Sequence, residues 1–486
     1  MNWNETLHSL NVGLPEDIAR LKAAGCYREA AARIDERLAE NWAAAANGPA
    51  ADPCTENAPA LPAAMKNCLL AEREILRRIP ADYPFTEAQA VRRVQEHIPN
   101  FTQREFRGMV AANRIDWRFI EGERRYFRRF YESLLYTDPA FAARAGKPQS
   151  DETHKARRAA ARTMREKGSL TARITVRFTL RADEKAFEDA KLRAIVAGHS
   201  AVTAKVWLPM PAACPAQSEI EALGFSAPPQ SVAPADAPQR TVYWEKALTE
   251  NETFTAEYRY CSTALYHDPL AAASAARVEF LAPETCLGEQ APHLVFTPYL
   301  RALTAEVTAG APTDAKKAQR IYDWITRQVQ YRYMPSYFTL EAIPDACARD
   351  RRGDCGVQAL TFVTMCRIAG IPAVWQSGLM AGPHEAGCHD WAMFYLADQG
   401  WMYADCSFGG GAARAGDEAL RRHYFGNLDP YRMVANRAFE APLTPPKTSW
   451  RADPYDNQGG EIELEGVGLT GQMYDTEIEL VKLELL

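Results

Sequence analysis

The 486-residue sequence predicts a multidomain α+β protein: a helical N-terminal region with a winged-helix-like unit, a β-sandwich middle domain, and a core of interleaved helices and strands behind them. Three observations predict it. Up to about residue 133 the apolar pattern is helical and interrupted by capping signals, from about residue 169 it alternates with the period of strands, and beyond residue 313 the two periods are mixed. At ~100–200 residues per domain, the length calls for two to four structural units.

Segments 15–40 and 61–78, rich in Ala, Leu and Arg, read as helices of a first region, 1–80, with the Ala/Gly/Pro-rich stretch 43–62 as a loop between them. Thr86-Glu-Ala-Gln89 and Thr102-Gln-Arg-Glu105 are capping boxes, each able to satisfy free N–H groups at a helix start. Residues 114–120 and 123–127 flank a Glu121-Gly122 turn and read as a hairpin. Helix, helix, hairpin is the winged-helix-like order, placed at 81–138. Arg118, Arg124, Arg125, Arg128 and Arg129, with aromatics between them, raise nucleic acid as a partner. The net charge of −6, with Glu121, Glu123 and Glu132 at hand to pair those arginines, favours a protein-contact module instead. Residues 139–168, polar, basic and Ala-rich, read as a partly helical linker.

In the middle domain, 169–290, Ile174, Val176, Phe178 and Leu180 alternate with polar residues, which marks a half-buried strand. Similar strands are expected at 201–208, 241–245, 253–261 and 277–281. A β-sandwich serving as scaffold or substrate-positioning module accounts for them.

The chemistry is concentrated further on. A helix starting after Thr313 carries the stripe Ala318, Ile321, Tyr322, Ile325 and Val329. Then Gly353-Asp354-Cys355-Gly356 opens an apolar helix that Gly370 and Pro372 stop, with Asp354 as its N-cap. Cys355 therefore occupies the first turn, where the partial positive charge of the helix end favours thiolate. A thiolate needs a base, and the base needs an orienting acceptor. Residues 389–396 and 401–405 read as an antiparallel hairpin, and His389 shares a face with Asp405 if the connecting loop is odd.

Gly353-Asp-Cys-Gly356 at a helix start, Arg367-Ile-Ala-Gly-Ile-Pro-Ala373 at its end, His389-Asp-Trp391 and Gly400-Trp-Met-Tyr-Ala-Asp405 resemble the core of the transglutaminase-like superfamily over about residues 313–410. Val206-Trp-Leu-Pro-Met-Pro211 is similar to the β-domain that precedes bacterial versions of this core. The resemblance implies a papain-like transglutaminase core at 291–420, with Cys355 as nucleophile, His389 as general base and acid, and Asp405 orienting His389. It implies an oxyanion hole made by the Cys355 backbone N–H and an upstream side chain, for which Tyr331 and Tyr333 are candidates, core packing being the alternative for each. Asp354, Gln358 and Trp391 are candidates for the substrate cleft. The extension 421–486 is expected to pack on the core, as a cleft wall that includes Asn427 and Arg432 or as plain cover. Cys406 beside Asp405 departs from the family pattern and places a second thiol near the site.

The implied chemistry is attack on an amide carbonyl through a thioester, in a peptide or protein substrate. Hydrolysis by a peptidase, amidase or deamidase is favoured, because many prokaryotic members are hydrolytic and cross-linking is hazardous inside a cell. Transglutaminase cross-linking of Gln to amines is the alternative, and a binding or scaffold protein using the winged-helix-like unit is the non-enzymatic one. No cofactor and no metal are expected. Cys355, Cys388, His389 and Cys406 have ligand chemistry, but neighbouring residues 388 and 389 point to opposite faces of a strand. The amino-terminal residues lack a secretory pattern and no apolar run reaches ~18 residues, so a cytoplasmic protein without a membrane partner is expected. An odd count of eleven irregularly spaced cysteines fits reduced thiols.

Overall fold

A computed structural model describes residues 3–46, 61–147, 151–271 and 277–486. Most of the loop expected at 43–62, and residues 148–150 of the expected linker, lie outside them. The described residues form a mixed α/β protein that divides into two compact units, 1–149 with 332–341 and 150–331 with 342–486.

In the first unit the helices Glu16–Ala23, Tyr27–Ala46 and Ala63–Asp82 precede the two short helices Glu87–Gln95 and Gln103–Ala111. Both capping boxes are formed: Thr86 N–H donates to Gln89 at 2.8 Å and Thr102 N–H to Glu105 at 2.8 Å. Strands Trp117–Ile120 and Glu123–Tyr126 pair in antiparallel register around Glu121 and Gly122, both at positive φ, the backbone a tight two-residue hairpin requires. Phe101, Phe106, Tyr126, Phe130 and Phe141 pack into one aromatic core beneath it. The arginines of this region are engaged inside the unit. Arg125 pairs with Glu123 at 2.7 Å and Arg128 with Asp82 at 3.3 Å, while Arg124 lies 4.2 Å from the Trp117 ring centroid and Arg129 3.6 Å from that of Tyr333.

The expected linker holds two helices, Pro139–Arg144 in the first unit and Glu152–Lys167 at the start of the second. Two antiparallel sheets follow. One is built on Val202–Pro209 and Thr241–Leu248, the other on Ser169–Ala182, Phe254–Leu265 and Gln217–Phe225. Ile174, Val176 and Phe178 of the second meet Val206, Val242 and Trp244 of the first in one buried cluster, because alternate residues of each strand face inward. Residues 277–281 form no strand; only Val278 makes an isolated bridge, to Gly400. The carboxyl-terminal extension does more than cover the core: Glu461–Leu464 pairs with Val202–Pro209, and Tyr474–Leu485 pairs with Ser169–Ala182 along nearly its whole length. Its residues Glu477, Glu479 and Lys482 alternate with Ile478, Leu480 and Leu483, a period-2 pattern that fits the outer strand of a half-buried sheet.

The remaining sheet has five antiparallel strands in the order Phe425–Gly426, Gly400–Ala404, Glu385–Leu396, Ala373–Gly382, Arg432–Asn436. Gly378 has to be glycine, since a Cβ there would lie 1.9 Å from Met433 O on the neighbouring strand. The helix Cys355–Ile368 packs across this sheet with Gly356 through Cys366 all buried.

Candidate functional site

The turn that presents Cys355 is fixed from both sides. Gly353 pairs with Tyr331 in a short parallel ladder, and a Cβ on Gly353 would meet Val357 Cγ1 at 2.4 Å. Asp354 Oδ1 accepts the Val357 N–H at 3.3 Å, and Gln358 Nε2 donates to Gly353 O at 2.9 Å. Cys355 thus begins the helix, partly exposed, and its thiol donates to Asp390 Oδ2 at 3.0 Å.

His389 and Asp405 come together through strand register. Leu396 pairs with Gly400 and Ala392 with Ala404, leaving the three-residue loop 397–399, so Trp391 and His389 share the face on which Asp405 lands. His389 Nε2 lies 2.8 Å from Asp405 Oδ2. Asp405 is fully buried and caps the next helix, Cys406–Arg414: Oδ1 accepts the Phe408 N–H at 2.9 Å and the Ser407 hydroxyl at 3.0 Å. Phe408 then lies against the imidazole, ring centroids 4.4 Å apart. With Nε2 committed to Asp405, Nδ1 is the nitrogen left for a proton from a thiol.

Residues 301–406, which carry all three groups, match the sequence profile of the transglutaminase-like superfamily. This segment belongs to that superfamily. Among solved structures the chain is similar to a candidate cysteine protease from Cytophaga hutchinsonii, at 14% identity, over 65% of this chain and 91% of that one, with a TM-score of 0.37. It is also similar to the periplasmic domain of TgpA from Pseudomonas aeruginosa, at 15% identity, over 54% and 96%, with a TM-score of 0.27. No curated protein matches it.

Electrostatics within the transglutaminase-like core separate the three groups. Burial by itself would raise the Asp405 carboxyl, but His389, Arg432 and the Phe408 N–H outweigh it and hold the group well below the usual carboxylate range. Burial lowers His389; Asp405 opposes this, and Arg432 adds to it. Cys355 departs from the expectation set by its helix terminus. Burial first, then Asp390 and Asp354, push its thiol well above the ordinary value, because desolvation together with neighbouring carboxyls outweighs the partial positive charge of the helix end. Asp390 is itself raised, by burial and then by Asp354 and Asp453, against the hydrogen bonds it receives from Cys355 and Gln458. Asp453 is pushed up to about 6, chiefly by burial.

The other candidates fall elsewhere. Trp391 is buried and donates to Gln376 at 3.0 Å; Gln358 is buried beneath the nucleophile turn; Asn427 is buried and binds the His267 backbone N–H and carbonyl at 2.6 and 2.9 Å. Arg432 is buried too, 3.0 Å from Asp405 Oδ2. All four side chains are buried, and Trp391 and Arg432 line a small cavity together with Asp429 and Leu428. Tyr331 is beside Gly353, whereas Tyr333 belongs to the first unit. Cys406 is buried, and burial raises its thiol well above the ordinary range. Sequence reasoning passed over Asp390, Gln458 and Phe408. Asp390 lay in plain view inside the His-Asp-Trp motif, but nothing local in the sequence shows that the start of helix 355–368 packs against it and gives it the Cys355 thiol as a hydrogen-bond donor.

Proposed function

We propose that the protein is a cysteine-dependent amide-bond hydrolase acting on peptide or protein substrates through a thioester. The observation that carries this reading is the hairpin register that bonds His389 to Asp405 at 2.8 Å while the next residue, Asp390, receives the Cys355 thiol at 3.0 Å. Cys355 is the nucleophile. His389 takes the thiol proton through Nδ1 and returns it to the leaving amine; water then opens the thioester with His389 again as base. Asp405 keeps Nε2 as the donor nitrogen, and the Cys355 backbone N–H at the helix start serves the oxyanion, with Tyr331, whose backbone pairs with Gly353, as the candidate second donor. The raised thiol favours proton transfer at the moment of attack over a preformed thiolate. A reducing compartment keeps these thiols reduced, so we place the reaction in the cytoplasm. We propose the first unit as a protein-contact module that brings in the substrate.

Wild type and Cys355→Ala incubated with a peptide mixture and a labelled primary amine, with cleavage, ammonia release and amine incorporation followed separately, test the reading. Cleavage or ammonia release by the wild type alone is expected. Amine incorporation as the dominant wild-type product would make the protein a transglutaminase, and identical behaviour of the two proteins would overturn the enzymatic reading.

A further inference from the structure

Arg432 comes from outside the superfamily match, on the strand Arg432–Asn436, yet its guanidinium is 3% exposed and reaches the middle of the candidate site. Its Nη2 lies 3.0 Å from Asp405 Oδ2, the oxygen that His389 Nε2 also binds, and 2.9 Å from Asp429 Oδ2, while Nε donates to Asp429 Oδ1 at 3.2 Å. The guanidinium carbon stands 4.3 Å from the centroid of the Phe408 ring that stacks on His389. Other charged groups lie close to the imidazole. Arg157, paired with Glu385, covers the same ring at 3.5 Å; Asp429 also accepts the Tyr424 hydroxyl at 2.9 Å; Asp390 is the next residue, bonded to Cys355.

We propose that Arg432 is a positioning residue of the triad, sharing Asp405 Oδ2 with His389 so that Asp405 is compensated without protonation of the imidazole, which rests as a free base. This rests on the triad reading above and adds the regulation of its base. A buried carboxylate facing an imidazole alone would draw a proton onto it and leave no base for the thiol. Arginine compensates the carboxylate at every working pH, and its planar fork pairs with Asp429 through Nε and Nη2 while Nη2 also reaches Asp405. The lowered His389, due to burial and then to Arg432 working against Asp405, agrees with this.

The test follows the His389 imidazole by NMR against pH in the full chain carrying Cys355→Ala, where no thiol titrates beside it. Replacing the ion pair as a unit, Arg432→Met with Asp429→Asn, avoids stranding a buried charge and should move the His389 midpoint up by about one pH unit. Arg432→Lys, which keeps the charge and is the safer variant for folding, should move it up by less. A midpoint that stays put or falls in whichever variant folds overturns the proposal. Because the measurement needs no turnover, that result leaves the hydrolase reading to its own test.

Discussion

Two helices of the core start at a candidate site residue, Asp405 as the N-cap of one and Cys355 as the first residue of the other, and the two starts behave oppositely. At Cys355 and at Asp405 the same free N–H groups and the same partial positive charge are present. Asp405 stays ionised although wholly buried, while the Cys355 thiol is held protonated although partly exposed. The difference lies in the company. Asp405 has an imidazole, a guanidinium and two hydrogen-bond donors; Cys355 has Asp390 and Asp354. Burial penalises both groups; at Asp405 an imidazole and a guanidinium outweigh that penalty, whereas at Cys355 the neighbouring carboxyls add to it, and a helix terminus worth a few tenths of a kcal/mol to about 1 kcal/mol does not reverse the sum.

The largest effect that would break this comparison comes from Asp405→Asn, which keeps a cap oxygen for Phe408 but removes the charge. Loss of roughly 10³–10⁴ in the wild-type rate of cleavage or ammonia release is expected, the scale seen when a His-orienting carboxylate becomes an amide. A loss under tenfold would show that the cap, and not the charge, is what the position supplies.

Acid should reach the buried histidines before it reaches Asp405. His293 and His423 are lowered by burial to about 3 and about 4, so the native state keeps them neutral while the unfolded chain binds protons below about 6.5. Each therefore removes about 1.4 kcal/mol of stability per pH unit as pH falls from about 6.5 toward those values. Asp405 adds to stability above its unfolded value near 3.9 and loses that contribution only as pH falls through its depressed native value. Urea melts between pH 7 and pH 4.5 should show the decline, and His423→Gln should flatten it.

The smallest change sharpens the other start. Asp390→Asn should speed alkylation of Cys355 by iodoacetamide at pH 7.5, by roughly tenfold for each unit the thiol pKa falls. Asp354→Ala should act in the same direction more weakly, at a cost of about 1 kcal/mol from its lost cap bond to Val357. Unchanged or slower alkylation in both variants would mean that burial alone sets the thiol.

Much of this was legible beforehand wherever local rules decide. The capping boxes at Thr86 and Thr102, the Glu121-Gly122 hairpin and the Asp354-capped start at Cys355 all depend on residues within one turn of each other. The hairpin needed only its loop parity, and three residues satisfied it. The strand expected at 277–281 reduces to the single bridge from Val278 to Gly400, because a β pattern becomes a strand only where the pairing continues along a neighbour. The destination of Tyr474–Leu485 was illegible for the same reason, since its partner strand lies some 300 residues earlier.

The sequence by itself determined which residues could do chemistry and in what order they stand, because motif, cap and register are short-range properties. Only the tertiary structure decided their charge states. It carried Arg432 from a later strand to Asp405 and turned the Cys355 thiol toward Asp390, and in a buried site the sum of such long-range neighbours outweighs whatever the local backbone offers.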